Sequence, residues 1–128
     1  MGVSKDINIL IVDDYKTMLR IIRNLLGQVG FTNVDEASNG SMALAKLQEK
    51  SYGLIVSDWN MEPMSGIDLL KAVKAEHTTQ NIPFVMITAE GKEENVKAAK
   101  AAGVSNYIVK PFNAELLKSK LIEVFGEF

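Results

Sequence analysis

The sequence predicts an α/β domain in which five parallel strands form one doubly wound sheet between two layers of helices. Near-continuous aliphatic runs, such as residues 7–12 and 84–87, are typical of strands that are buried on both faces. Stretches with apolar residues at helical spacing separate these runs, so strands and helices alternate along the chain. Right-handed crossovers leave few topologies for such a series, and the flavodoxin-like strand order 2-1-3-4-5 is favoured.

The first half of the chain contains three of the predicted strands and two helices. The first strand covers residues 7–12, and the helix after it ends at a glycine. The second strand, about residues 33–37, is less apolar than the others, so we expect a short edge strand. The second helix starts after Asn39-Gly40, and the third strand covers residues 54–57.

The second half repeats this alternation after a loop that contains Pro63. Its predicted elements are a helix over residues 67–73, a strand from residue 83, a helix over 92–102, a strand over 106–109 and a helix over 114–125. No linker or repeat interrupts the series. Residues 1–128 are therefore expected to form a single domain with no output domain.

Composition excludes several classes of function. Hydrophobic residues make up 47% of the 128 residues and charged residues 23%, which indicates a globular core. The net charge of −2 is too small to suggest binding to nucleic acid or to an acidic membrane. The chain has no cysteine and no apolar run as long as a membrane span. We therefore expect a cytoplasmic protein without thiol chemistry.

Three aspartates follow two of the buried strands. Asp13 and Asp14 directly follow the first strand, and Asp58 directly follows the third. Ligands of open parallel sheets bind beyond the carboxyl ends of the strands, where these side chains meet. Carboxylates without a nearby histidine or cysteine suit Mg²⁺, or Mn²⁺, far better than zinc. The alternative is that Asp13 and Asp14 only cap a helix, but Asp58 on a second strand favours a metal site.

Two further polar residues follow strands at the same edge. Lys110 follows the fifth strand and precedes Pro111, while Thr88 ends the fourth strand. A single lysine is usually a surface charge, and a threonine is often only a strand or cap residue. A lysine at the end of a buried strand that faces a carboxylate cluster is less often accidental, and the Thr88 hydroxyl is well placed to hydrogen-bond an incoming anion.

Together, these motifs resemble the receiver domain of bacterial response regulators. The likeness covers essentially the whole chain and is greatest for the chemotaxis regulators of that family. Each motif alone is modest, but their order and spacing are specific. The motifs are Asp13-Asp14, Ser57-Asp58-Trp59-Asn60-Met61, Thr88-Ala89-Glu90 and Tyr107-Ile108-Val109-Lys110-Pro111-Phe112.

The resemblance implies that a histidine kinase phosphorylates Asp58 in the presence of Mg²⁺. It further implies that Asp14, Asp58 and the backbone carbonyl of Asn60 ligate the metal, with Asp13 acting through water. Lys110 then pairs with an oxygen of the phosphoryl group. The chain would not be an enzyme acting on other molecules, because it would catalyse only its own phosphorylation and dephosphorylation.

The resemblance also implies an output. Thr88 would move to the phosphoryl group and Tyr107 would turn inward, while the side chains of Asn60 and Glu90 tune the hydrolysis rate. The fourth helix, fifth strand and fifth helix would then bind a flagellar motor switch protein and a phosphatase, with the protein acting as a monomer.

Some positions depart from the usual pattern of the family. The loop usually reads Met-Pro-x-Met-Asp-Gly, but here the proline is one place later, at Pro63, and is preceded by Glu62. Loop geometry, metal affinity and dephosphorylation rate are therefore expected to differ. Ser65 replaces the usual aspartate and is still expected to cap the third helix. Glu93 replaces a frequent lysine and changes the charge of the output surface.

Three other functions fit parts of the pattern. A phosphorelay intermediate or phosphate sink would use the same site without contacting the motor. A phosphohydrolase of the haloacid dehalogenase type also has an aspartyl nucleophile, but it needs Asp-x-Asp and a cap domain, whereas this chain reads Asp13-Asp14-Tyr15. A flavodoxin is disfavoured because the first strand does not end in a phosphate-binding loop rich in glycine and hydroxyl groups.

Overall fold

Five parallel strands form one sheet in the computed structural model, which describes residues 4–89 and 93–127. The strand order is β2-β1-β3-β4-β5, so the predicted fold and the predicted edge position of the second strand are confirmed. The strands are β1 Ile9–Val12, β2 Val34–Ala37, β3 Leu54–Asp58, β4 Phe84–Thr88 and β5 Asn106–Val109.

Helices pack on both faces of the sheet. The helices are α1 Lys16–Val29, α2 Gly40–Glu49, α3 Gly66–Ala75, α4 Glu93–Ala101 and α5 Ala114–Phe125. Within the described ranges, no helix is both long enough and apolar enough to cross a bilayer.

The sheet separates two hydrophobic clusters. Ile9 and Ile11 of β1 face the cluster formed with α1 and α5, whereas Leu10 and Val12 face the cluster formed with α2 and α3. Successive side chains of a strand point to opposite faces, so a strand covered on both sides is apolar at every position. This explains the continuous aliphatic runs in the sequence.

Side-chain caps fix where several helices begin. Asn39 Oδ1 accepts a hydrogen bond of 2.7 Å from the Met42 amide at the start of α2. Ser65 Oγ accepts one of 3.2 Å from the Asp68 amide, and the Asp68 carboxylate accepts one from the Ser65 amide. This reciprocal pair is a capping box, which confirms the predicted role of Ser65 at α3.

Candidate functional site

The three aspartates meet at the carboxyl edge of the sheet. Val12 pairs with Ser57 in the ladder between β1 and β3, so Asp13 and Asp58 lie at the same level on neighbouring strands. One carboxylate oxygen of each of Asp13, Asp14 and Asp58 lies within 4.8 Å of the others. Asp13 and Asp58 are only 1% and 4% exposed, whereas Asp14 is exposed. The cluster therefore has two buried carboxylates and one that reaches solvent.

Asp13 uses its two carboxylate oxygens differently. Oδ1 accepts a 2.9 Å hydrogen bond from the Tyr15 amide and so fixes the turn into α1. Oδ2 is buried and receives no hydrogen bond from any residue that the structure describes. The N-cap of α1 is Tyr15, whose side chain makes no capping bond, so a helix cap does not account for the aspartate pair. One oxygen of Asp13 is left facing the cluster.

Burial raises the pKa of the Asp13 carboxyl from 3.8 to about 6. The Tyr15 amide opposes this shift by hydrogen bonding to the charged form. The negative charges of Asp58 and Asp14 raise the pKa further, and the Lys110 ammonium lowers it in part. The cluster is thus poorly compensated when all three carboxyls are ionised.

Lys110 is the cation that faces Asp58. Its Nζ lies 3.0 Å from Asp58 Oδ1, and its side chain is 25% exposed. This is an ion pair, and no hydrogen bond from the described residues reaches this buried oxygen. The Lys110 amide donates to the Thr88 carbonyl at 2.8 Å, which fixes the lysine at the exit of β5. The Lys110 ammonium and the Asp58 carboxylate therefore share one partly open site.

The loop between β3 and α3 folds back over Asp58. The Gly66 amide donates to the Trp59 carbonyl at 2.8 Å. A Cβ at Gly66 would collide with the Asp58 carbonyl oxygen and would lie 2.8 Å from the Met86 sulfur and 2.9 Å from Trp59 Cα. Sequence reasoning missed Gly66, although a glycine directly after the capping Ser65 was a usable signal. Only glycine allows α3 to approach the end of β3 this closely without displacing Asp58.

Asn60 and Glu62 lie at the mouth of the site. They line a depression of about 340 Å³ with Asp14, Trp59, Met61 and Ser65. Asn60 and Glu62 are both exposed, and the Glu62–Pro63 and Lys110–Pro111 peptide bonds are cis. Glu62 thus adds a carboxylate to the same opening as Asp14. The sequence predicted that this loop would alter metal affinity and the dephosphorylation rate.

Thr88 and Tyr107 lie on the same face of the sheet. Thr88 is 5% exposed at the end of β4 and pairs with Val109, while Met86 pairs with Tyr107. The partly buried Tyr107 packs against the cluster that contains Met86, and Lys120 Nζ lies 5.1 Å from the centre of its ring. The two predicted switch residues therefore lie on adjacent strands, with Thr88 two residues beyond Met86, the partner of Tyr107. Of the other predicted residues, Glu90 and the Glu93 side chain lie outside the described part of the chain.

Comparison with known proteins identifies extensive similarity. The response regulator receiver domain family matches residues 9–122. The chain is 50% identical over 117 residues to the chemotaxis protein CheY of Pseudomonas aeruginosa, covering 91% of this chain and 94% of that protein. It is 49% identical over 122 residues to chemotaxis protein CheY-3 of Vibrio cholerae, covering 95% and 94%.

The fold is similar to a solved chemotaxis protein. The structure of CheY4 of Vibrio cholerae superposes with a TM-score of 0.87 at 34% identity, covering 94% of this chain and 99% of that chain. Similarity in sequence and in fold thus extends over nearly the whole chain.

Proposed function

The chain belongs to the response regulator receiver family, of the chemotaxis type, and we propose that it acts as a stand-alone regulator that a histidine kinase phosphorylates on Asp58. The observation that carries this proposal is the buried Asp58 carboxylate at the end of β3. It contacts Lys110 at 3.0 Å and lies beside Asp13 and Asp14. A nucleophile, a cation and two further carboxylates at one sheet edge fit phosphoryl transfer to aspartate.

The proposed reaction forms an acyl phosphate. A carboxylate oxygen of Asp58 attacks phosphorus, and the bond from phosphorus to the kinase histidine breaks as the new P–O bond forms. The Lys110 ammonium stabilises the negative charge of the phosphoryl oxygens. Attack of water on phosphorus later releases phosphate and restores the Asp58 carboxylate. The protein would therefore catalyse only its own phosphorylation and dephosphorylation, and Asn60 and Glu90 would tune the second step.

The donor set of the site fits Mg²⁺ and also suits Mn²⁺. Asp13 Oδ2 is a buried oxygen that receives no hydrogen bond from the described residues, and Asp58 Oδ1 contacts only the Lys110 ammonium among them. Hard divalent cations bind such carboxylate oxygens. The residues proposed to hold the metal are Asp13, Asp14, Asp58 and the carbonyl of Asn60. When bound, the metal would neutralise charge on the phosphoryl oxygens during transfer.

The proposed output depends on Thr88 and Tyr107. Their common face lets a movement of Thr88 towards the phosphoryl group change the space available to the Tyr107 ring. This would be a shift between two packings rather than a new fold. We propose that α4, β5 and α5 then bind the flagellar motor switch protein or a phosphatase, and that the monomeric protein acts in the cytoplasm.

Thr88→Ala is expected to leave phosphorylation of Asp58 intact but to remove the gain in partner affinity, because the hydroxyl that responds to the phosphoryl group is lost. Tyr107→Phe should change partner affinity with little effect on phosphorylation. Anisotropy titrations of a labelled motor-switch peptide, with and without beryllofluoride, measure both effects.

Thr79→Ala is the matched control, because Thr79 is also buried and its hydroxyl donates to the Val73 carbonyl at 2.7 Å, away from the site. It should lower stability and leave the activated affinity unchanged. A full beryllofluoride response in Thr88→Ala would contradict the hydroxyl switch. If the beryllofluoride-activated wild type does not bind the motor peptide, and wild type phosphorylated on Asp58 instead transfers its phosphoryl group to a histidine phosphotransfer domain, the protein is a relay intermediate or phosphate sink.

A further inference from the structure

A groove runs between α1 and α2 at the β2 edge of the sheet, and we call it the α1–α2 groove. It lies at the opposite edge from β5, and therefore away from the output surface proposed above. Its volume is about 580 Å³. Its principal lining residues are Lys16, Leu19, Arg20, Arg23, Glu36 and Met42.

The groove is positively charged, although the whole chain carries a net charge of −2. Lys16, Arg20 and Arg23 are spaced four and three residues apart, so they lie on one face of α1. Arg23 is paired with Glu36 at 2.8 Å. Lys16 and Arg20 form no ion pair with the described residues. Two uncompensated cations therefore project beside the groove and favour an anionic ligand.

The floor between these cations is apolar. Leu19 is buried, whereas Met42 of α2 is 42% exposed. Among the described residues, the Met42 sulfur accepts only long polar contacts, from the amide and hydroxyl of Ser38 at 3.4 and 3.8 Å. Methionine is flexible and polarisable, and it adapts to varied partner surfaces. A ligand with both carboxylates and apolar side chains would match this surface.

Gly27 extends the same line of α1 beyond the groove. It is exposed, and a Cβ built on it meets no atom within 4 Å. Close packing against the described residues therefore does not require a glycine here, and glycine inside a helix is less favourable than alanine. It leaves bare backbone that another helix can approach closely. The face of α1 from Lys16 to Gly27 is about 16 Å long, which is more than a small anion would cover.

We propose that the α1–α2 groove binds an acidic amphipathic helix of a partner protein. Apolar side chains of this helix would pack on Leu19 and Met42, carboxylates would pair with Lys16 and Arg20, and its backbone would cross α1 at Gly27. The proposal does not depend on phosphorylation of Asp58. It assigns a second docking surface to the end of the sheet opposite the output surface.

The probe is a labelled, stapled helical peptide with leucines along one face flanked by glutamates, titrated into the full chain by fluorescence anisotropy. We expect saturable binding that Arg20→Glu weakens at least about tenfold. Lys71→Glu on α3 makes the same charge change at an exposed site outside the groove and should leave the affinity unchanged. The same peptide with glutamine for every glutamate should bind far more weakly.

Gly27→Ala separates docking from folding, because the two effects have opposite signs. The substitution should raise the urea midpoint of unfolding and at the same time weaken peptide binding. Unchanged binding in Gly27→Ala, an equal loss in Lys71→Glu, equal binding of the glutamine peptide, or no saturable binding would each overturn the proposal.

Discussion

Gly66→Ala is expected to destabilise the protein by at least about 2 kcal/mol and to displace the loop that covers Asp58. The added methyl group would collide with the Asp58 carbonyl oxygen and lie 2.8 Å from the Met86 sulfur. Relief requires movement of β3 or of the loop, and movement of either would separate Asp58 from its neighbours. Chemical denaturation should therefore show lost stability, and phosphorylation from a small-molecule donor should be impaired in the fraction that still folds.

Gly27→Ala is the control for this substitution. Both glycines lie in helices, but a methyl group at Gly27 meets nothing within 4 Å. The control should be neutral or slightly stabilising, by up to about 1 kcal/mol. Equal destabilisation by the two substitutions would show that close packing at Gly66 is not the cause.

Asp13→Asn is expected to stabilise the metal-free protein above about pH 7, by up to about 3 kcal/mol, because folding raises the pKa of the Asp13 carboxyl to about 6. The pKa of the Asp13 carboxyl is about 6 in the folded protein and 3.8 for an exposed carboxyl, as in the unfolded chain. Folding therefore disfavours ionisation of Asp13. Its favourable contribution is present below pH 3.8 and is lost as the pH rises through about 6. The gain in the free energy of unfolding from Asp13→Asn should therefore increase between pH 3.8 and about 6 and stay constant at higher pH.

Urea denaturation in EDTA at several pH values measures this effect, with Asp35→Asn as the control. The hydrogen bonds from Tyr52 and Lys50 lower the pKa of the Asp35 carboxyl, so its stabilising effect is present at neutral pH and lost on acidification. Asp35→Asn should therefore destabilise the protein, with the opposite pH trend. With Mg²⁺, wild type should gain stability and the Asp13→Asn advantage should shrink. A pH-independent effect of Asp13→Asn would contradict the charge-cluster account.

The hydrophobic pattern predicted the sheet because burial on both faces requires an apolar residue at every strand position. The same pattern placed the start of the first strand two residues too early. Ile7 packs against the core next to Ile9, but β1 begins only at Ile9. Hydrophobicity reports burial, and at this end of the sheet burial extends further than strand pairing.

The third strand is longer than predicted for a related reason. Asp58 is polar, yet it is the last residue of β3, and the Trp59 amide continues the ladder by donating to the Ile87 carbonyl. A polar residue at a strand end is read from sequence as the first loop residue. Here the residue is buried because it belongs to the site.

Other features of the site depend on tertiary contacts that no local pattern contains. Adjacent Asp13 and Asp14 are equivalent in sequence, but one is buried and the other is exposed because successive side chains at a strand end diverge. The closeness of Gly66 to Asp58 likewise joins the start of α3 to the end of β3. Motif order could predict which residues meet, but not their burial.

Intact-mass spectrometry after incubation with acetyl phosphate tests the central proposal most directly. In Mg²⁺, the wild type should gain one phosphoryl group, which peptide mapping should place on Asp58, and EDTA should prevent the gain. Asp58→Asn should remain unlabelled, because an amide is not a nucleophile, while Asp68→Asn in the capping box of α3 should be labelled like the wild type. Labelling of Asp58→Asn in Mg²⁺, or equal labelling of the wild type in EDTA, would contradict metal-dependent phosphorylation of Asp58.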